Sequence, residues 1–195
     1  ELSTPNGRVS VRLHVQGEHN ISNALAASAA AFALGISNAD IASGLESFAG
    51  VYGRLERKAA VHSAVLIDDT YNANPDSMQA AIDVLVKCAG EKVLVLGDMG
   101  ELGEDAQQMH AQIGAYARAA GLNKLYCLGE LSVEMVKAFG DGALHFDTPQ
   151  ALAEFLLPQL TRGMTVLIKG SRFMQMERVV KLLETKKEPV VGENK

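Results

Sequence analysis

From residue 64 to residue 184, short apolar runs alternate with longer segments of helical period, and nothing else in the chain constrains the fold as strongly. The pattern predicts strands over 64–69, 92–97, 124–128, 143–146 and 164–169, and helices over 76–88, 106–120, 131–139, 149–160 and 174–184. Strands separated in this way pair in parallel, because a parallel neighbour requires a crossover and the helix supplies it. The expected fold class is α/β, a doubly wound and mostly parallel sheet. Right-handed crossovers put the loops that follow the strands on one edge, where open α/β sheets bind ligands. That edge carries Asp69 to Asn74, Asp98 to Gly103, Gly129, and Lys169 to Arg172.

The first fifty residues follow a different rule. VSVRLHV (9–15) alternates like a strand, ISNALAASAAAFALG reads as an alanine-rich helix closed by Gly35, and Ser37 is placed to cap a second helix through about Ser47. One strand and two helices bury too little apolar surface to stand alone, so this stretch is expected to be the end of a larger domain with more chain upstream. Two glycines in FAGVYGRLER break the helical period and set a linker near 48–56. The domain reading is therefore a fragment over 1–50, an α/β domain over 51–185 and a flexible tail over 186–195.

Composition narrows the function. With 48% hydrophobic and 21% charged residues the chain has the balance of a globular protein, and no apolar run approaches the ~18 residues of a membrane span. The first residues lack the basic and apolar regions of a signal peptide, so a cytoplasmic location is expected. A net charge of −5 offers no broad basic field for nucleic acid. Cys88 and Cys127 have neither redox nor zinc spacing and read as buried free thiols. His62, His110 and His145 show no ligand spacing, and the methionines read as core filling.

Four constellations carry candidate chemistry. Asn20 and Asn23 in GEHNISN share a helix face, where paired carboxamides could meet a base edge; a simple capping role for Asn20 competes with this. Arg54 in GRLER offers a guanidinium fork for phosphate, against the bland alternative of a solvated surface arginine. In DDTYNANPDS, Asp69 could accept from ribose hydroxyls while Asn72, Asn74 and Ser77 hold a polar substrate; Asn74 and Pro75 also suit the start of a helix. Fourth, GDMGELGED (97–105) and KGSR (169–172) each follow an apolar strand; Lys169 with Ser171 and Arg172 would make a compact cationic and hydroxyl pocket for a carboxylate or phosphate, against ordinary surface charge as the bland alternative for Arg172. Gly97, Gly100 and Gly103 do not match G-x-G-x-x-G, and the chain contains no G-x-x-x-x-G-K-[ST], so a nucleotide site here has no phosphate loop of its own.

In order and spacing, GEHNISNALAASAAAFALG, GRLE, DDTYNANPDSM, GDMGELG and KGSR resemble the Mur ligases of peptidoglycan synthesis, over residues 17 to about 184. DDTYNANPDSM with GDMGELG points to the branch that joins D-Ala-D-Ala to a UDP-N-acetylmuramoyl-tripeptide. The resemblance implies that residues 1–50 end a central ATPase domain and that the rest is a Rossmann-like C-terminal domain. It also implies that the phosphate loop, the UDP-substrate domain and most Mg2+ ligands lie in an N-terminal half outside this chain. In such ligases ATP phosphorylates a carboxylate and the incoming amine attacks the acyl phosphate. Carried over residue by residue, Asn20 and Asn23 would contact adenine, Arg54 the terminal phosphate and Asp69 the ribose. Asn72, Asn74, Ser77, Asp98, Glu101, Lys169 and Ser171 would lie near the dipeptide, with Arg54 and Lys169 as the catalytic cations. Related ligases carry a lysine two positions after the ribose aspartate; this chain has Tyr71, and no charge role is carried onto it. A monomer is expected, inactive as the isolated 195-residue piece.

A phosphoacceptor receiver domain is the alternative from another class. It would use Asp68 and Asp69 as paired acids, Asp98 as the acceptor and Lys169 as the strand-end lysine. Against it, Asp98 follows the second strand of the domain where a receiver needs the third, and residues 1–53 go unexplained.

Overall fold

The structure, a computed structural model, describes residues 1–15, 18–48 and 50–185. The tail expected over 186–195 lies outside the described residues. Two compact units make up the chain, Glu1–Glu56 and Arg57 onward.

In the first unit, strands β1 (Leu2–Thr4) and β2 (Gly7–Val9) form an antiparallel hairpin, followed by helices α1 (Glu18–Ala33) and α2 (Asn38–Ser47). This corrects the strand expected at 9–15. A two-residue Pro5–Asn6 turn joins the strands: Gly7, which follows it and pairs with Thr4, takes a left-handed φ of 113°, and Asn6 N–H donates to Thr4 Oγ1 at 3.1 Å. Pairing ends at Val9, and among the described residues the alternation beyond it has no partner strand. Ser37 caps α2 as expected, accepting from Asp40 N–H at 3.2 Å.

The second unit is built on a six-stranded sheet in the order β3-β4-β8-β5-β6-β7. Its strands are β3 (Glu56–Ala59), β4 (Val65–Asp69), β5 (Lys92–Gly97), β6 (Leu125–Leu128), β7 (Ala143–Phe146) and β8 (Thr165–Lys169). All pairings from β4 to β7 are parallel. The five strands read from the sequence are present; the edge strand β3 is additional. Its residues, ERKA, carry three charges and no apolar alternation, which suits an edge and conceals it from pattern reading. The intervening helices are α3 (Pro75–Val86), α4 (Ala106–Ala119), α5 (Val133–Phe139), α6 (Pro149–Leu156) and α7 (Glu177–Leu183). Two of them depart from the expected bounds by more than two residues. Pro158 cannot continue α6, which closes in a 3₁₀ turn over Leu157–Gln159, and a left-handed Gln175 separates a 3₁₀ turn at Arg172–Met174 from α7.

Both faces of the sheet are covered, which is why the central strands are apolar without alternation. On one face Leu66, Val93, Val95, Val166 and Ile168 pack with Leu152 and Leu156 of α6 and Val179, Val180 and Leu183 of α7. On the other, α3 packs on β5 and β8, and α3, α4 and α5 pack side by side. Helices α4 and α5 approach so closely at Gly114 that a Cβ there would strike the Met135 backbone. Met78, Met99, Met135 and Met176 fill the core as read from the sequence. Cys127 is buried, and burial pushes its thiol up from the ordinary cysteine range; Cys88 is half-buried.

Strand β3 is fastened to β4 by an ion pair inside the protein. Lys58 Nζ donates to Asp68 Oδ2 at 2.8 Å, with Asp68 fully buried and the lysine side chain 12% exposed. Asp68 Oδ1 accepts from Thr70 N–H at 3.2 Å and Thr70 Oγ1 at 2.7 Å. Lys58→Ala would leave a buried carboxylate without its cation, so chemical denaturation should show a loss of about 3 kcal/mol, the scale for breaking one side of a buried pair.

Candidate functional site

The site follows from one topological fact: β8, the last strand among the described residues, lies between β4 and β5, the first two of the parallel set. Its register puts Lys169 opposite Asp69 on one side and Leu96 on the other. The loops after β4, β5 and β8 therefore meet at the carboxyl edge, as the crossover argument requires.

Each loop is tied to the others by buried side chains. Lys169 is 3% exposed, and its ammonium bridges Asp69 Oδ2 at 2.7 Å and the Asn72 carbonyl at 2.8 Å. Ser171 Oγ donates to the Ala73 carbonyl at 3.1 Å and accepts from Gly100 N–H at 2.8 Å. Its own N–H donates to the Asp98 carbonyl at 3.0 Å. One lysine and one serine thus hold 69–74 and 97–100 to the KGS turn. Ser171 is the pivot, since it touches both.

Asp68 and Asp69, adjacent in the sequence, turn to different tasks because successive strand residues face opposite ways. Asp68 holds Lys58 and Thr70; Asp69 holds Lys169. The side chains that follow shape the loop. Asn72 Oδ1 accepts from Ala73 N–H at 2.9 Å. Asn74 and Ser77 form a reciprocal capping box at the start of α3, Ser77 N–H donating to Asn74 Oδ1 at 2.8 Å and Asn74 N–H donating to Ser77 Oγ at 3.0 Å, with Pro75 at the first helical position.

Asp98 turns into the protein. Its two carboxylate oxygens accept from Leu131 N–H at 3.1 Å and Ser132 N–H at 2.7 Å, anchoring the turn that precedes α5. Gly129, with a φ of 115°, lies so close to this carboxylate that a Cβ would collide with it. Glu101 is exposed at the loop tip with a left-handed φ of 60°. Sequence reading assigned no role to His110, yet it organises this loop. Met99 N–H donates to His110 Nε2 at 2.9 Å, so Nε2 carries no proton, and Nδ1–H donates to the Ala106 carbonyl at 2.6 Å. A histidine spaced one helical turn into α4 after a glycine loop was the available signal.

The remaining candidates belong to the first unit. Asn20 and Asn23 share a face of α1, Asn23 Nδ2 donating to Asn20 Oδ1 at 3.3 Å. The helix starts at Glu18, so Asn20 sits inside the first turn and is not the cap. Arg54 is exposed in the segment that closes this unit, its N–H donating to the Val51 carbonyl at 3.0 Å.

Comparison with known proteins agrees with this fold. Residues 53–172 match the family model "Mur ligase, glutamate ligase domain". The chain belongs to the Mur ligase family. It is similar to a UDP-N-acetylmuramoyl-tripeptide–D-alanyl-D-alanine ligase of Buchnera aphidicola, with 43% identity over 190 residues covering 95% of this chain and 42% of the relative. A crystal structure of MurF from Acinetobacter baumannii superposes with a TM-score of 0.82 and 39% identity, over 91% of this chain and 40% of that one. MurF from Thermotoga maritima in complex with ADP gives a TM-score of 0.75 and 26% identity, over 86% of this chain and 38% of that one. The chain thus spans about two fifths of the length of these relatives. Nothing supports the phosphoacceptor alternative, because the Asp98 carboxylate is already taken by two backbone N–H groups.

His110→Ala would leave the Met99 N–H buried without an acceptor. A stability loss of about 1–3 kcal/mol is expected, with faster amide exchange confined to residues near 99.

Proposed function

We propose that this chain is the carboxyl-terminal part of an ATP-dependent ligase that joins D-Ala-D-Ala to a UDP-N-acetylmuramoyl-tripeptide in the cytoplasm. The observation that carries the reading is the three-loop cluster bound by Lys169 and Ser171, found in a member of the Mur ligase family similar to ligases of that name. ATP would convert the tripeptide carboxylate to an acyl phosphate, and the dipeptide amine would displace the phosphate, leaving an amide and ADP. Attack of a neutral amine on an activated carbonyl needs alignment and a fixed electrostatic surrounding more than acid–base chemistry. A loop cluster locked by buried ionic contacts supplies a fixed surrounding.

In this reading Asn20 and Asn23 contact the adenine, Arg54 the terminal phosphate, and Asp69, held by Lys169, the ribose. The likeness to a relative solved with ADP supports the nucleotide assignment. Asn72, Asn74, Ser77, Asp98, Glu101 and Ser171 shape or flank the loops that face the acceptor. Lys169 acts by holding Asp69 and the Asn72 carbonyl in place. Magnesium would be held mostly by residues outside this chain, as the family resemblance implies.

The full-length protein should form amide product from ATP, D-Ala-D-Ala and the nucleotide tripeptide; failure to do so refutes the proposal. There, Arg54→Ala should cut kcat about tenfold or more, and Arg54→Lys should recover only part because the planar fork is lost. Unchanged turnover in both variants removes Arg54 from the site. Asp69→Asn should raise KM for ATP more than KM for the dipeptide, and an unaltered ATP KM would count against the ribose contact.

A further inference from the structure

The cation available at the site edge is not the one that sequence reading favoured. Lys169 is buried and consumed by Asp69 and the Asn72 carbonyl. Three residues along, Arg172 stands in the opposite condition. Its side chain is 60% exposed and lies directly after Ser171, the residue that joins the loops. Among the described residues the guanidinium has one partner, Glu177 of α7, whose Oε1 accepts from Nη2 at 3.1 Å. Glu177 is itself mostly buried, 13% exposed, and its second oxygen, Oε2, is buried with no donor. The contact is therefore a single-point tether and not a closed fork. It fixes the arginine while most of its five N–H donors remain for something else.

On the proposed function, the acceptor dipeptide brings one permanent charge to this edge. Its amine must be neutral to attack, so the charge is the C-terminal carboxylate. We propose that Arg172 binds that carboxylate and that Glu177 is the positioning residue that holds the guanidinium. A planar fork on a planar carboxylate fixes direction as well as distance, which aligns the amine at the other end of a short substrate. Arg172 is thus the residue by which the site would distinguish a free dipeptide acid from a neutral analogue.

The test uses the full-length ligase, with D-Ala-D-Ala and its C-terminal amide as rival acceptors. The wild type should prefer the acid by about tenfold or more in kcat/KM, because a site built to bind a charged group rejects the analogue without it. Arg172→Ala should raise the dipeptide KM by a similar factor and abolish the preference, while KM for ATP stays within about twofold. Glu177→Gln should give an intermediate rise in dipeptide KM with kcat retained, and Arg172→Lys a partial recovery. The proposal is overturned if Arg172→Ala still prefers the acid, or if its ATP KM rises instead, which would make Arg172 a phosphate contact. Absence of ligation by the wild type would overturn this assignment and the function beneath it together, whereas normal ligation with an unchanged acid preference in Arg172→Ala overturns this one alone.

Discussion

The buried pair between Lys169 and Asp69 is the interaction on which the site depends. A lysine ammonium taken from water is tolerated only when its donors find acceptors, and here they find a carboxylate on the neighbouring strand and the Asn72 carbonyl. The same register that brings these groups together makes β8 the strand between β4 and β5. Electrostatics and topology therefore specify one another: a one-residue slip would carry Lys169 to the opposite face and break its pair with Asp69.

Around that pair the polar groups divide by what surrounds them. Asp68, Asp98, His110 and Ser171 are buried, and each is bonded to backbone or to another side chain, so they maintain loop shape. Arg172 and Glu101 are exposed at the edge. A motif such as KGSR thus contains two kinds of residue, an inward half that braces the turn and an outward half that faces solvent. Spacing alone treats them alike; burial separates them.

Much of this was legible beforehand. Central strands such as VLVLG and TVLIK announce themselves by unbroken apolar runs, Asn74-Pro75 by helix-start chemistry, and the placing of the loops on one edge by the handedness of crossovers, though not the strand order that makes three of them neighbours. The misses have physical causes. Strand β3 is charged because it is an edge, and the hairpin at Leu2–Val9 is closed by a Pro5–Asn6 turn ahead of a left-handed Gly7, a signal that lies outside the alternation after it. His110 escaped notice because its function is to accept one backbone N–H, a role with no periodic signature. Nor could the sequence say that Lys169 would be consumed and Arg172 left exposed, since that depends on which neighbours the register delivers.

The placement of the last strand also has a consequence for biosynthesis. During translation β4 and β5 leave the ribosome about seventy to a hundred residues ahead of the segment that must separate them. Until residues 165–169 arrive, the facing edges of those two strands lack β8, and Asp69 lacks Lys169. The nascent domain must wait with its centre open, a long-range closure of the kind that slows assembly and leaves sticky edges for chaperones to shield.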